Sequence, residues 1–187
     1  RFLYGHQGYD PDRVLAMEMV LPQAAYKGND ARREFVERVL DRAAAIPGAE
    51  RAAVINIMPA RGNNSSRPLE IEGRPNADPA FPPSVDFRSA TPEIFAVLGI
   101  PVHRGRGLTT ADGENAQPVV VISQSLAQRY WANEDPLGRR LKLGTGSWLT
   151  IVGVCGDVVH DWFNRRDYPT VYVPYAQAPT GNFGLAV

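Results

Sequence analysis

Cysteine is nearly absent from this chain of 187 residues, and Cys155 is the single one. That excludes an intramolecular disulfide and any multi-cysteine metal site. Cys155 lies in the apolar run TIVGVCGDVV, where a free thiol behaves as a small buried hydrophobe. Net charge is absent as well, because twenty Lys and Arg balance twenty Asp and Glu. With no basic arm and no acidic tail, nothing draws the chain toward nucleic acid or an anionic membrane surface. Long hydrophobic runs are missing too: no stretch approaches the roughly 20 apolar residues that span a bilayer. The opening RFLYGHQGYD is too polar for a signal peptide.

Recognisable catalytic signatures are equally scarce. The chain has no Walker-type nucleotide motif. His6, His103 and His160 fall in separate contexts, and none has a second histidine four residues away to grip zinc from one helix. GDVVHDW groups Asp157, His160 and Asp161 at a strand end, where Asp and His also serve as turn caps. Ser123 sits between a strand and a helix in VISQS, without the flanking glycines of a nucleophile elbow. An N-cap accounts for it better. These two features define the enzyme alternative, a stand-alone hydrolase using Ser123 or the Asp157/His160/Asp161 cluster. GTGSWL contains Gly144 and Gly146 but no following helix to receive a pyrophosphate, so it reads as a hairpin turn. HRGRG places Arg104 and Arg106 beside glycines, an arrangement able to hold an anion. NNSS carries Asn-x-Ser sequons at Asn63 and Asn64, which matter only in a eukaryotic secretory route.

What is present is a regular alternation of strands and helices. Residues 14–22 read as a strand. ARREFVERVLDRAAAIPG reads as a helix, with Phe35, Val36, Val39, Leu40, Ala43 and Ile46 on one face, Asp30 as N-cap and Pro47-Gly48 as the stop. RAAVINIM returns as a strand, completing a β-α-β unit over about 13–58. Two polar loops, PARGNNSSRP and RPNADPAFPP, flank the short strand LEIEG. SVDFRSA alternates, with Val85, Phe87 and Ser89 on one face and Asp86 and Arg88 on the other. TPEIFAVLG reads as a short helix with Thr91 at the N-cap. IPVHRGRGLTTADGENAQ reads as irregular. PVVVIS is a buried strand, SQSLAQRYWANE a helix, and RRLKLG, SWLTIVGVCGDVV, PTVYVPYAQ and FGLAV are strands. The order predicts an α+β fold with mixed sheets.

In WANEDPLGRRLKL, Pro136 and Gly138 form a turn, Trp131 packs the helix end, and Arg139 and Lys142 face water from the following strand. The segments GYDPDRVLAMEMVLP, IPGAERAAVINIMP, LEIEGRP, ATPEIFAVLGIPVHRGRGLTTAD, PVVVISQSLAQRYWANEDPLGRRLKL and LTIVGVCGDVVHDW with PTVYVPYAQ come in an order that resembles the MacB-like periplasmic core domain. That domain belongs to ABC transporter permeases of the MacB/FtsX/LolC type, and the variant resembled is that of the tandemly duplicated orphan permeases of Acidobacteria. The resemblance runs from about residue 8 to 177.

It implies an extracytoplasmic insertion between two transmembrane helices of an inner membrane permease, located in the periplasm. The implied fold is a discontinuous, mixed-sheet porter-like subdomain, mapped to 9–58 and 148–187, with an inserted α/β sabre-like subdomain at 59–147. The family usually continues past FGLAV with another helix and strand, so the porter half is expected to be either truncated or differently closed here. The implied function is transmission: ATP hydrolysed by a cytoplasmic ATPase subunit or domain drives the periplasmic part, which exports a substrate or acts on a periplasmic partner protein. No catalytic residue, cofactor or metal is carried over, and the full transporter is expected to be dimeric. Long polar loops on a rigid scaffold commonly carry recognition, so Arg61, Asn63, Asn64 and Phe81 are the expected partner-binding residues.

Overall fold

A computed structural model describes residues 14–59, 65–76, 78, 80–159 and 169–187. Strand β1 (Ala16–Val20) leads into helix α1 (Asn29–Ala44), which returns to β2 (Ala53–Ile55). The last strand, β10 (Asn182–Ala186), lies between β1 and β2 and is antiparallel to both. This is a split β-α-β unit. The apolar face of α1 covers one side of it: Val36 and Ala43 are buried with Val54, Phe183 and Leu185, and Phe35, Val39 and Leu40 pack at the edge. The helix spacing read from the sequence buries this stripe as far as Ala43, while Ile46 lies beyond the end of α1 and is exposed.

The remaining strands close on themselves. Strand β4 (Ser84–Ala90) pairs with β3 (Ser66–Ile71), β3 with β7 (Arg140–Leu143), and β7 with β8 (Trp148–Cys155). Strand β8 runs parallel to β6 (Val119–Ser123), and β6 pairs antiparallel with β9 (Thr170–Pro174). Strand β9 then runs parallel to β4, from Asp86 opposite Thr170 to Ala90 opposite Pro174. The circuit is a small six-stranded ring. Its interior holds Leu69, Ile71, Val85, Val120, Ile122, Leu141, Ile151, Val154, Val171 and Val173. Helix α3 (Gln124–Trp131) adds Leu126, Ala127 and Trp131 to that cluster.

Period-two alternation sends the intervening residues outward. Val121, Cys155, Tyr172 and Ala90 join a second cluster with Ile94 and Phe95 of α2 (Ile94–Val97) and with Ala53 and Ile55 of β2. A register shift around Val152-Gly153 puts Ile151 and Val154 on the same side although they are three residues apart. Strands β6 and β9 are therefore buried on both faces, which is why PVVVIS is continuously apolar.

The ring joins the split unit through Ile55 opposite Ala90. Around that pair, Asn56 donates to the Ser89 carbonyl, Thr91 to the Val54 carbonyl, and Tyr175 to the Ala90 carbonyl, at 2.9, 2.9 and 2.8 Å.

Three local expectations are corrected. Helix α1 begins at Asn29 with extended Gly28 as N-cap, and Asp30 instead pairs with Arg33 at 2.6 Å in the first turn, where a carboxylate favours the helix dipole. Thr91 does not cap α2: Glu93 holds that position, and the Thr91 hydroxyl accepts from the Val54 amide at 2.9 Å. HRGRG is not irregular. Val102–Gly105 forms β5, which pairs with the second half of β8, while β7 pairs with the first half. Glycine permits this approach, since a Cβ on Gly153 would lie 2.0 Å from the Arg106 carbonyl oxygen.

The alternation expected in β4 holds, but its charged face is also buried. Arg88 is 0% exposed and faces Asp86 with its two terminal guanidinium nitrogens, Nη1 at 2.8 Å and Nη2 at 2.5 Å. Nη1 also donates to the Phe87 carbonyl, and Asp86 accepts from the Ser65 amide. Burial raises the Asp86 carboxyl above its usual range and lowers the Arg88 guanidinium, against their mutual attraction. Removing one partner strands a buried charge, whereas replacing both by apolar groups does not. Arg88→Met is expected to cost about 3–5 kcal/mol near neutral pH, and Asp86→Leu/Arg88→Met to stay within about 1 kcal/mol of the parent or exceed it. In the single variant the Asp86 pKa rises further, so its stability falls as pH rises through that value and is regained on acidification. Urea unfolding of the three proteins at neutral and mildly acidic pH measures both effects.

Candidate functional site

Of the four residues expected to bind a partner, Arg61, Asn63 and Asn64 lie outside the described residues. Phe81, in the β3–β4 connection, is 82% exposed. An isolated phenylalanine in water is held there by a structured base: the Asp78 carboxylate accepts from the Ala80 amide at 2.9 Å, and Phe81 donates to the Asp78 carbonyl. At the start of the same connection, Arg74 donates to the Tyr130 carbonyl, pairs with Glu134 at 2.8 Å and lies 5.6 Å over the Trp131 ring. The loop carrying Phe81 is thereby fastened to the C-terminal end of α3.

The stretch 131–143 is a connector. Trp131 is buried against the strand carrying Leu141, and Gly138 takes φ 77° in the turn. Arg140 pairs with Glu72 and Lys142 with Glu70 across β3, and both cations lie over the Trp148 ring. Arg139 interacts with Glu134 at 3.5 Å. These cations are already matched by the chain's own carboxylates.

The same holds for Arg104 and Arg106. Arg104 pairs with Asp135 at 2.6 Å, and Arg106 makes two hydrogen bonds of 2.7 Å to Asp112. The anion held beside these glycines is a protein side chain. Burial pushes the Asp112 carboxyl up, but hydrogen bonds from Arg106 and from the Thr109 amide and hydroxyl prevail, and its pKa falls below the usual value.

Ser123 is an N-cap. Its Oγ accepts from the Leu126 amide at 3.4 Å and from the Thr170 amide at 3.0 Å, and shares a 2.9 Å hydrogen bond with Ser125. It is buried, and no histidine is among these partners. Asp157 accepts from the Ser125 amide at 2.9 Å, a second cap for the same helix. His160 and Asp161 lie outside the described residues. Cys155 is buried, and burial pushes its thiol up to about 12, far from the thiolate that a nucleophile requires. Among the described residues no group of three or more His, Cys, Asp and Glu could hold a metal, and no helix is long and apolar enough to cross a membrane.

The bonds of Ser123, Asp157, Arg104, Arg106 and Arg140 are all internal to the fold. The sequence profile of the MacB-like periplasmic core domain matches residues 7–185. The chain belongs to that family. The MacB-like assignment agrees with a curated relative, the macrolide export ATP-binding/permease protein MacB of Hahella chejuensis, which is 31% identical over 102 residues. That alignment covers 54% of this chain and 15% of the relative, so the chain spans a small part of that protein's length. The periplasmic region of MacB from Actinobacillus actinomycetemcomitans superposes with a TM-score of 0.63 at 18% identity, covering 99% of this chain and 78% of that one. The extracellular domain of the noncanonic ABC-type transporter YknZ from Gram-positive bacteria gives 0.59 at 15% identity, covering 94% and 82%. At such identities the likeness is one of fold: the mixed, sheet-rich α+β architecture is that of MacB-type periplasmic domains.

Two outcomes follow from these roles. Ser123→Ala removes the cap and leaves the buried Thr170 amide without its acceptor, so thermal or urea unfolding is expected to register a loss of about 1–2 kcal/mol. Asp112→Asn weakens the Arg106 clasp. Because Arg106 is partly exposed, the loss is expected to stay near 1–2 kcal/mol, in the lower range for charged hydrogen bonds. The depressed Asp112 pKa stabilises the fold above the unfolded value of about 3.9. That contribution disappears as pH falls through the folded value. The stability difference between parent and variant, followed from neutral to strongly acid pH, should therefore narrow on acidification.

Proposed function

We propose that this chain is the extracytoplasmic part of an ABC-type permease, acting as a non-catalytic binding and conformational-transmission module. Its partner ATPase subunit or domain hydrolyses ATP in the cytoplasm. The periplasmic part passes the resulting motion to an exported substrate or to a periplasmic partner protein. The observation that carries this reading is the family match across nearly the whole chain. The assignment of Ser123, Asp157, Arg104 and Arg106 to structural bonds supports it, and the hydrolase alternative draws nothing from that geometry.

Within the module, the split β-α-β unit corresponds to a porter-like subdomain and the ring to an inserted sabre-like one. Strands β8 and β9 belong to the ring by their pairing, so the inserted part is proposed to extend from about residue 59 to about 174, beyond the 59–147 expected. The loops bearing Arg61, Asn63, Asn64 and Phe81 are proposed to meet the partner, and two copies to work side by side in a dimeric inner membrane transporter.

A single cysteine tests this placement. In the full-length permease expressed with its ATPase, Phe81→Cys introduces an exposed thiol while Cys155 stays buried. A membrane-impermeant maleimide is expected to label it from the outside of intact spheroplasts, and labelling is expected to slow when the partner is added. Labelling only after the membrane is permeabilised would overturn the extracytoplasmic reading. Labelling from outside at a rate indifferent to the partner would remove Phe81 from the contact.

A further inference from the structure

A groove of about 530 Å³ lies along the seam between the split unit and the ring. One wall is α1, and the other is formed by the turn after β4 and the loop preceding β6. Its volume falls in the range of about 300–1,000 Å³ usual for binding pockets. The floor is apolar: Val36 and Tyr175 are buried and Leu40 is partly exposed. The rim is acidic. Glu37, Asp41 and Glu50 are exposed and Glu93 is partly so. None of these four carboxylates has an ion-pair partner among the described residues, whereas Arg74, Arg104, Arg106, Arg139, Arg140 and Lys142 are all paired. Arg33, the other charged group of the α1 wall, is already held by Asp30 and Glu114 at 2.6 and 2.9 Å. Arg51 is the only remaining cation of the lining.

Four carboxylates without a counter-ion line the rim, and a cationic occupant would supply one while its apolar groups cover the floor. We propose that this groove docks a cationic amphipathic segment of a partner protein, with Leu-like side chains on Val36, Leu40 and Tyr175 and Lys or Arg side chains toward Glu37, Asp41, Glu50 and Glu93. Because one wall belongs to the split unit and the other to segments of the ring, an occupied groove clamps the two together. The groove is separate from the Phe81 loop, and the proposal stands or fails independently of the partner placement given above.

The test uses a fluorescently labelled synthetic amphipathic helix with a leucine face flanked by lysines, titrated into the chain by anisotropy. Saturable binding that weakens with added salt is expected, with amide shift changes centred on α1, Thr91 and Tyr175. Exchanging the lysines for glutamates in the peptide should abolish binding. Glu37→Lys/Asp41→Lys, at two exposed positions that leave the packed face of α1 unchanged, should weaken the lysine peptide about tenfold or more. The same variant should gain affinity for the glutamate peptide. Equal affinity of parent and variant for the lysine peptide, absence of saturation, or shift changes confined to the Arg140–Trp148 face would each overturn the proposal.

Discussion

The architecture turns on one strand, β9, which hydrogen-bonds to two others that are far from it in sequence. On one side it runs antiparallel to β6, on the other parallel to β4. Without the second pairing, β4 and β9 would be the open edges of a curved sheet with exposed amide and carbonyl groups. With it the edges vanish and the apolar faces of six strands converge on a common interior. The Thr170 amide at the start of β9 is tied to the Ser123 hydroxyl, so the residue that begins α3 also seats the closing strand. The burial of Arg88 and Asp86 follows from this closure, because they share a face with Thr170 and Tyr172 at registered positions.

Burial on both faces explains which parts of the fold were legible. Strands such as PVVVIS and PTVYVP are continuously apolar because they have no wet side, and their places were clear from composition alone. The stripe on α1, the Ser123 cap and the turn at Gly138 are local devices whose chemistry lies within a few residues, and they too were readable. Thr91 was misjudged because its hydroxyl had a choice between the following helix and the Val54 amide, and only tertiary structure decides between them. Strand β5 escaped notice because Gly105, which looks like loop punctuation, is with Gly153 of β8 what allows two backbones to come close. Ring closure itself depends on β4 meeting β9 across about eighty residues, and no periodicity encodes that.

The charged residues tell a similar story. Alternation in SVDFRSA separated Asp86 and Arg88 from Val85 and Phe87, yet the pattern is the same whether the charged face meets water or protein. The pairs Arg104–Asp135 and Arg106–Asp112 join residues whose relation was invisible until the loops were placed. What looked like free cations beside glycine were half of closed pairs. The unpaired carboxylates lining the groove were likewise hidden, since α1 shows an ordinary polar face in sequence and only the opposing turn makes a channel of it. By contrast the family resemblance was accessible early, because it rests on the order of many ordinary segments.

The position of β10 has a kinetic meaning. Residues at its centre pair with β2 although nearly the whole ring lies between them along the chain. For an unfolded polymer, closing so large a loop is entropically among the most demanding contacts in the molecule. A ring that has already condensed shortens the effective loop to the short connections at its base, because the ends of β4 and β9 emerge beside β2. High contact order in the split unit thus favours a folding order in which the ring assembles first. The excursion that interrupts the β-α-β unit in sequence is also the scaffold that brings its halves back together.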